Sequence, residues 1–276
     1  MQGIALVAVM WMIAALSLIA TSLIAATRPE LRAVAQQRDA LVAAATGDAA
    51  IALALQDLVR KDALPALFQE RTEWVDGQPV RVSVTPITGL VDVAHAPESL
   101  LAALFSVAGG IGGQEASMLA ARIVAARSAA DPQAREALLV VEDLLRPGGI
   151  DYPLYAKISP LITAGEGSGD GKVNPLAAPA RVLQVLAGGN GALAAGFIAA
   201  RESRGRLADT TVFPGALTGN AVSPLLRIEA FVPAGDVVLR WSRSVDIRQA
   251  SPSGAPWSVY RSESTPMPPD VTDDSH

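Results

Sequence analysis

The sequence predicts an α+β chain: a long N-terminal transmembrane and spine helix packed on a small antiparallel sheet, with a large α-helical domain inserted into that sheet. Three observations predict it. Residues Ile4 to Ala26 carry no charged side chain. Beyond the first sixty residues the hydropathy pattern reads β, then α, then β. Within the α block the sequence repeats itself.

The charge-free run comes first. At about 1.5 Å per residue it is long enough to cross the roughly 30 Å hydrocarbon layer of a bilayer. It exceeds the about 7–15 apolar residues of a secretory signal core, and Met1, Gln2 and Gly3 supply no basic charge before it. Apolar residues then continue at helical spacing through Leu31, Val34, Leu41, Val42, Leu53, Leu55 and Leu58. The pattern predicts one helix over 4–62, apolar all round at first and amphipathic after Arg28. Pro29 is expected to kink it and Gly47 to weaken it.

Next, Glu73-Trp74-Val75 and Val80 to Val84 flank Asp76-Gly77, a two-residue hairpin signal. A helical block follows from Pro97 to Arg204, punctuated by Gly109-Gly110-Ile111-Gly112-Gly113, Pro147-Gly148-Gly149 and the loop Gly165 to Gly171. Alternation returns in Arg227 to Val232 and Val237 to Trp241, joined through the turn Pro233-Ala234-Gly235-Asp236, and again in Trp257 to Tyr260. These patterns divide the chain into residues 1–3, which the resemblance described below makes a short leader, the helix at 4–62, a β domain at 63–88 and 207–263, an inserted α domain at 89–206, and a disordered Pro- and Asp-rich tail at 264–276.

The repeat is the most specific signal beyond the first helix. Val91 to Leu101 aligns with Val173 to Leu183, and Ala120 to Arg127 aligns with Ala194 to Arg201. Each copy reads as a lead-in strand, an Asp92 or Asn174 turn, Pro97 or Pro179 at a helix start, a first helix, a glycine turn and a second helix. That is a helix-hairpin-helix unit. Its glycine turn, Gly110-Ile111-Gly112, would offer backbone amides to a phosphate. Yet affinity for a polyanion needs several Lys or Arg. The chain has a net charge of −5 and only three lysines, Lys61, Lys157 and Lys172. Packing or protein contact therefore outweighs DNA binding.

Catalysis finds no support. His95 and His276 are the only histidines and there is no cysteine, which excludes disulfides, thiolate metal sites and a histidine-rich centre. No Gly-x-x-x-x-Gly-Lys-Ser/Thr sequence is present, so the chain is not an ATPase of that type. Glu142 and Asp143 read as a solvated helix face. Glu166 and Asp170, in the glycine-rich loop, are the candidate oxygen ligands for a metal, calcium being the ion they suit, although their spacing is not that of an EF-hand. Arg28, Arg32 and Arg38 follow the apolar run, and by the positive-inside rule they would put the C-terminal side in the cytoplasm.

Gly3-Ile4-Ala5-Leu6-Val7 resembles a prepilin-peptidase site, and the helix from Ile4 to Leu58 resembles a pilin spine. Gly89 to Pro97 and Val173 to Leu183 resemble paired turns, Glu142 to Leu145 an "EEL" element and Leu154 to Thr163 a "plit" element. Taken in this order, over nearly the whole length, the chain resembles the K class of minor pseudopilins of type II secretion systems. The resemblance implies a non-enzymatic subunit cut between Gly3 and Ile4, N-methylated at Ile4, and held in the bacterial inner membrane by a single pass. Its head would lie in the periplasm, against the charge rule. Ala8 would stand at the fifth mature position, where most pilin-like proteins carry glutamate, and its lack of a carboxylate implies a place at the pseudopilus tip. The implied partners are the other minor pseudopilins, the major pseudopilin and prepilin peptidase, with the secreted substrate or outer-membrane secretin beyond. No cofactor other than calcium is implied. The remaining alternatives are a membrane-anchored helix-hairpin-helix protein that receives DNA, as in competence systems, and a plain bitopic anchor.

Overall fold

The computed structural model describes residues 2–61, 64–128, 140–146, 150–167, 169–234, 237–252 and 254–267; for 2–8 and 19–36 it describes the helical backbone alone. One helix, α1, runs from Gln2 to Arg60 without a break at Pro29 or Gly47. Five antiparallel strands form the sheet in the order β1-β2-β5-β6-β7: β1 Gln69–Val75, β2 Gln78–Pro86, β5 Leu225–Ala234, β6 Val237–Asp246 and β7 Ser258–Met267. Between β2 and β5 lie β3 Val91–Asp92, α2 Glu98–Ala103, α3 Gly113–Arg127, α4 Tyr152–Ile158, β4 Ile162–Thr163, α5 Ala180–Leu186 and α6 Gly191–Arg204.

The β1–β2 hairpin closes as the sequence predicts. Asp76 and Gly77 both adopt positive φ, at 49° and 77°, the conformation of a two-residue turn whose twist matches the strands. Alternation then puts Val80, Val82 and Val84 of β2, with Leu226, Ile228, Ala230 and Val232 of β5, on one face. Onto that face α1 lays Ala43, Ala50, Ile51, Ala54, Leu55 and Leu58, all buried. Each large side chain withdrawn from water there contributes about 1.5–3 kcal/mol.

The direction of the helix follows from its contacts. Asp48 accepts hydrogen bonds from Trp241 Nε1 (2.6 Å) and Arg243 (2.7 Å) on β6. Asp57 meets Arg71 on β1 at 2.9 Å. Those nine residues advance about 13 Å along a helix, and β6 to β1 spans three strand spacings, about 14 Å. The helix therefore crosses the strands rather than following them. Lys61, and then Arg71, hold the Asp57 carboxyl below its usual range.

Gly47 marks the closest approach. A Cβ there would sit 2.9 Å from Trp241 Cβ, so its role is contact rather than the local weakening expected of it. Gly47→Ala is expected to destabilise by about 1–3 kcal/mol through overpacking, which exceeds the about 0.5–1 kcal/mol that Ala gains within a helix. Urea melts followed by circular dichroism would measure it; an unchanged or raised midpoint would refute the contact.

Three expectations are corrected. The tail was expected to be disordered from Ser264, but β7 continues through Ser264, Thr265, Pro266 and Met267, paired with Trp241 to Val238. Pro266 is tolerated because β7 is an edge strand. Residues 268–276 lie outside the described part. Of the turn expected at Pro233 to Asp236, Pro233 and Ala234 instead pair with Val238 and Val237 in the ladder, and residues 235–236 lie outside the described part. Asp143 is not on a solvated face: it is buried, accepts a hydrogen bond from Val140 N (3.1 Å) and thereby caps the 3-10 turn Val141–Leu145. Glu142 is exposed but tied to Arg261.

The inserted helices have a core of their own, around Leu100, Leu101, Leu104, Phe105, Ile123, Ile158, Leu183 and Leu186. Ala208 and Phe213, beyond the boundary expected at residue 206, also pack in it. Phe213 meets Phe197 edge-on at 4.9 Å.

Candidate functional site

Two features stand out for function: an apolar, exposed helix surface, and a polar seam where the inserted domain meets the sheet. On α1 the side chains of Val9 to Leu18 are all exposed, Trp11 and Leu18 to 75 %. Neither core of the described residues includes this stretch, and a helix apolar on every side is matched to a non-aqueous surrounding. The sites expected at Gly3, Ile4 and Ala8 lie in the first turns of the same helix, where only the backbone is described. By length and composition Gln37–Arg60 could also cross a membrane; Ala43, Ala50, Ile51, Ala54, Leu55 and Leu58 on it pack on the sheet, while Leu41, Val42 and Leu53 stay exposed.

Within the inserted domain, the two aligned segments place equivalent groups at equivalent positions. The Asp92 carboxylate accepts from Ala94 N at 3.0 Å, and the Asn174 amide oxygen accepts from Leu176 N at 3.0 Å. Pro97 and Pro179 stand immediately before α2 and α5. Arg127, ending α3, donates to Val93 O and Ala96 O; Arg201, on α6, donates to Pro175 O, Leu176 O and Ala178 O. Each arginine thus ties its second helix back to its own lead-in turn. Burial lowers the Arg201 pKa to about 10, and lowers that of Arg127. Both arginines were visible in the alignment, but nothing in the sequence said that they would bond carbonyls.

At the glycine turn Gly110 adopts φ 74°, Gly112 immediately precedes α3, and Lys157 Nζ donates to Gly109 O at 3.2 Å. That lysine is occupied inside the domain.

The glycine-rich loop is held by Asp92. Its carboxylate also accepts from Gly165 N (2.8 Å), Gly167 N (3.3 Å) and His95 Nδ1 (2.8 Å). Thus fixed, the loop turns Glu166 toward Thr163 Oγ1 (2.8 Å) and the Tyr260 hydroxyl (3.3 Å) on β7. Asp170 instead accepts from Lys172 N at 3.0 Å. The two candidate metal ligands are turned to different partners, and no group of three or more His, Asp or Glu gathers among the described residues.

Glu166 lies in the seam, beside a cleft of about 210 Å³ lined by Thr163, Ala164, Arg227, Tyr260 and Arg261 among others. Arg227 is buried there and donates to Pro160 O (3.0 Å) and Ile162 O (2.8 Å), and burial depresses its pKa. Burial, then Glu166, raises the Tyr260 hydroxyl, while burial, then Glu142, pushes Tyr155 up to about 12. Neither tyrosine ionises near neutrality. The cleft is bordered by paired charges and by two hydroxyls, those of Thr163 and Tyr260, that both donate to Glu166.

No protein-family model matches the sequence, and no curated protein does. Among solved structures, the chain is similar to a chain in the crystal structure of the GspK-GspI-GspJ complex from the enterotoxigenic Escherichia coli type 2 secretion system. The match has 14% identity and a TM-score of 0.48, and it covers 87% of this chain and 99% of that one.

Proposed function

We propose that this chain is a minor pseudopilin of a type II secretion system, a structural subunit that caps or initiates the pseudopilus at its tip. The observation that carries the reading is α1: one uninterrupted helix whose Val9 to Leu18 stretch is apolar and exposed, and whose later part lies across an antiparallel sheet. Such a helix suits a subunit that waits in the inner membrane and packs by its spine against neighbours. Prepilin peptidase would cut between Gly3 and Ile4, and Ile4 would be N-methylated. Ala8 supports a tip position, because a subunit without a carboxylate at that depth has nothing to offer the terminal ammonium of a neighbour above. The inserted domain would face the periplasm and contact other pseudopilins or secreted substrate, its two aligned segments acting as helix-hairpin-helix units built for packing. The DNA-receiving alternative is not favoured, given three lysines and Lys157 bonded internally.

Mass spectrometry of the N-terminal peptide, from protein purified out of membranes, tests this directly. The expected result is a chain beginning at N-methylated Ile4. An unprocessed Met1-Gln2-Gly3 start in cells that contain the peptidase would sink the proposal and leave a plain anchor.

A further inference from the structure

The inserted domain and the sheet meet through a narrow neck. The chain leaves the sheet at Pro86, returns at Leu225, and Pro86 pairs with Leu226 in the β2–β5 ladder, so the two crossings lie side by side. The two bodies keep separate apolar cores, one on each side of this neck. What joins them beyond the neck differs on its two flanks. On the β1 side Phe68 N donates to Leu176 O (3.0 Å), and the Arg201 guanidinium lies 5.3 Å from the Phe68 ring centre. On the β7 side the joint is polar: Tyr260 to Glu166, Arg261 to Glu142, and Arg227 to two carbonyls, around an open cleft.

Arg227 holds a special place among these ties. Ile162 and Thr163 form β4, whose other neighbour is β3, with Val93 N donating to Thr163 O at 2.9 Å. Consecutive residues of a strand point their carbonyls to opposite sides. The Ile162 carbonyl therefore faces away from β3, where a third strand would lie, and the Arg227 guanidinium takes that strand's place. It is the buried tie of the seam, whereas Glu142 and Tyr260 are exposed.

We propose that Arg227 is the latch that fixes the helical domain on the sheet, and that the seam opens on its β7 side about the Pro86–Leu226 neck when the latch is released. A polar joint around unfilled space gives way before either apolar core does. Opening keeps both cores intact and swings α4 and the Gly165–Gly167 loop away from β7. This holds whether or not the chain enters a filament.

The absence of cysteine makes the test direct. In the full chain in detergent micelles, spin labels at Tyr152→Cys and Ser264→Cys report across the seam, and labels at Met118→Cys and Leu207→Cys report within the helical domain; all four sites are exposed. Double electron–electron resonance should give one narrow distance for each pair. With Arg227→Met, the cross-seam distribution should broaden and shift by several ångströms while the internal pair keeps its distance. With Glu142→Ala and Tyr260→Phe together, the broadening should be smaller. An unchanged cross-seam distance in Arg227→Met overturns the latch. So does broadening of both pairs, which would make Arg227 a support of the helical core, and so does a larger effect from the outer ties than from Arg227.

Discussion

Arg201→Met is expected to cost about 2–4 kcal/mol, because it removes a charged donor whose hydrogen bonds contribute about 1.5–3 kcal/mol and strips the Ala178 carbonyl of its donor, while Pro175 O and Leu176 O keep Ala178 N and Phe68 N. The Arg201 guanidinium serves Pro175 O, Leu176 O and Ala178 O, and the residue is only 7 % exposed. Methionine fills part of the volume, so the loss reads on hydrogen bonding more than on packing. Arg127→Met, at the aligned position, removes two carbonyl bonds from a half-buried site and should cost about 1–2 kcal/mol. Hydrogen exchange of the full chain checks both. Faster exchange should appear first in the Asn174 to Ala178 turn for Arg201→Met, and in the Asp92 to Ala96 turn for Arg127→Met. Equal and diffuse effects of the two variants would refute the idea that each arginine locks its own turn.

Asp92→Ala is the second large effect, expected at about 2–4 kcal/mol, since it strips an acceptor from three backbone amides and an imidazole at once. The glycine loop can reach water on release, which keeps the cost below the sum of its bonds. Asp92→Asn is the informative comparison. Asn174 shows what an amide does in the same turn: its oxygen accepts from Leu176 N, and its nitrogen donates to Ala221 O at 2.9 Å. At position 92 the second carboxylate oxygen faces Gly167 N and His95, so an amide nitrogen there loses the Gly167 bond outright and keeps His95 only by a switch of the imidazole tautomer. Asp92→Asn should therefore lose roughly half as much as Asp92→Ala. Urea melts measure the order, and a harmless Asp92→Asn would show that the Gly167 and His95 contacts contribute nothing.

The sequence made much of this chain legible where a period or a turn carries the information. The long helix, the Asp76-Gly77 hairpin, and the β–α–β order with its strands about Arg227 and Val237 were all readable, because side-chain alternation and positive φ are local properties. The equivalence of Arg127 and Arg201 was readable as an alignment but not as chemistry, since their carbonyl partners are set by tertiary approach. Gly47 read as a helix defect because the indole it makes room for lies on β6, far along the chain. Asp143 read as solvated because capping a short 3-10 turn leaves no periodic trace. The end of β7 was hidden for a similar reason: Pro and Ser residues disfavour a strand locally, yet β6 offers them a ladder. Of the seam, Glu166 was singled out for its charge, while Arg227 passed as one more residue in an alternating strand.

The strand order has a consequence of its own. Every neighbour in β1-β2-β5-β6-β7 is also next in sequence among those strands, so with residues 87–224 set aside the sheet is a plain up-and-down meander. Seen this way, the whole helical domain is one turn of that meander, grown large. A turn changes its contents without disturbing the register of the strands it joins, because Pro86 and Leu226 stay opposite each other whatever lies between them. The inserted domain can thus change in size and surface while the sheet keeps its register, as a tool holder accepts different bits.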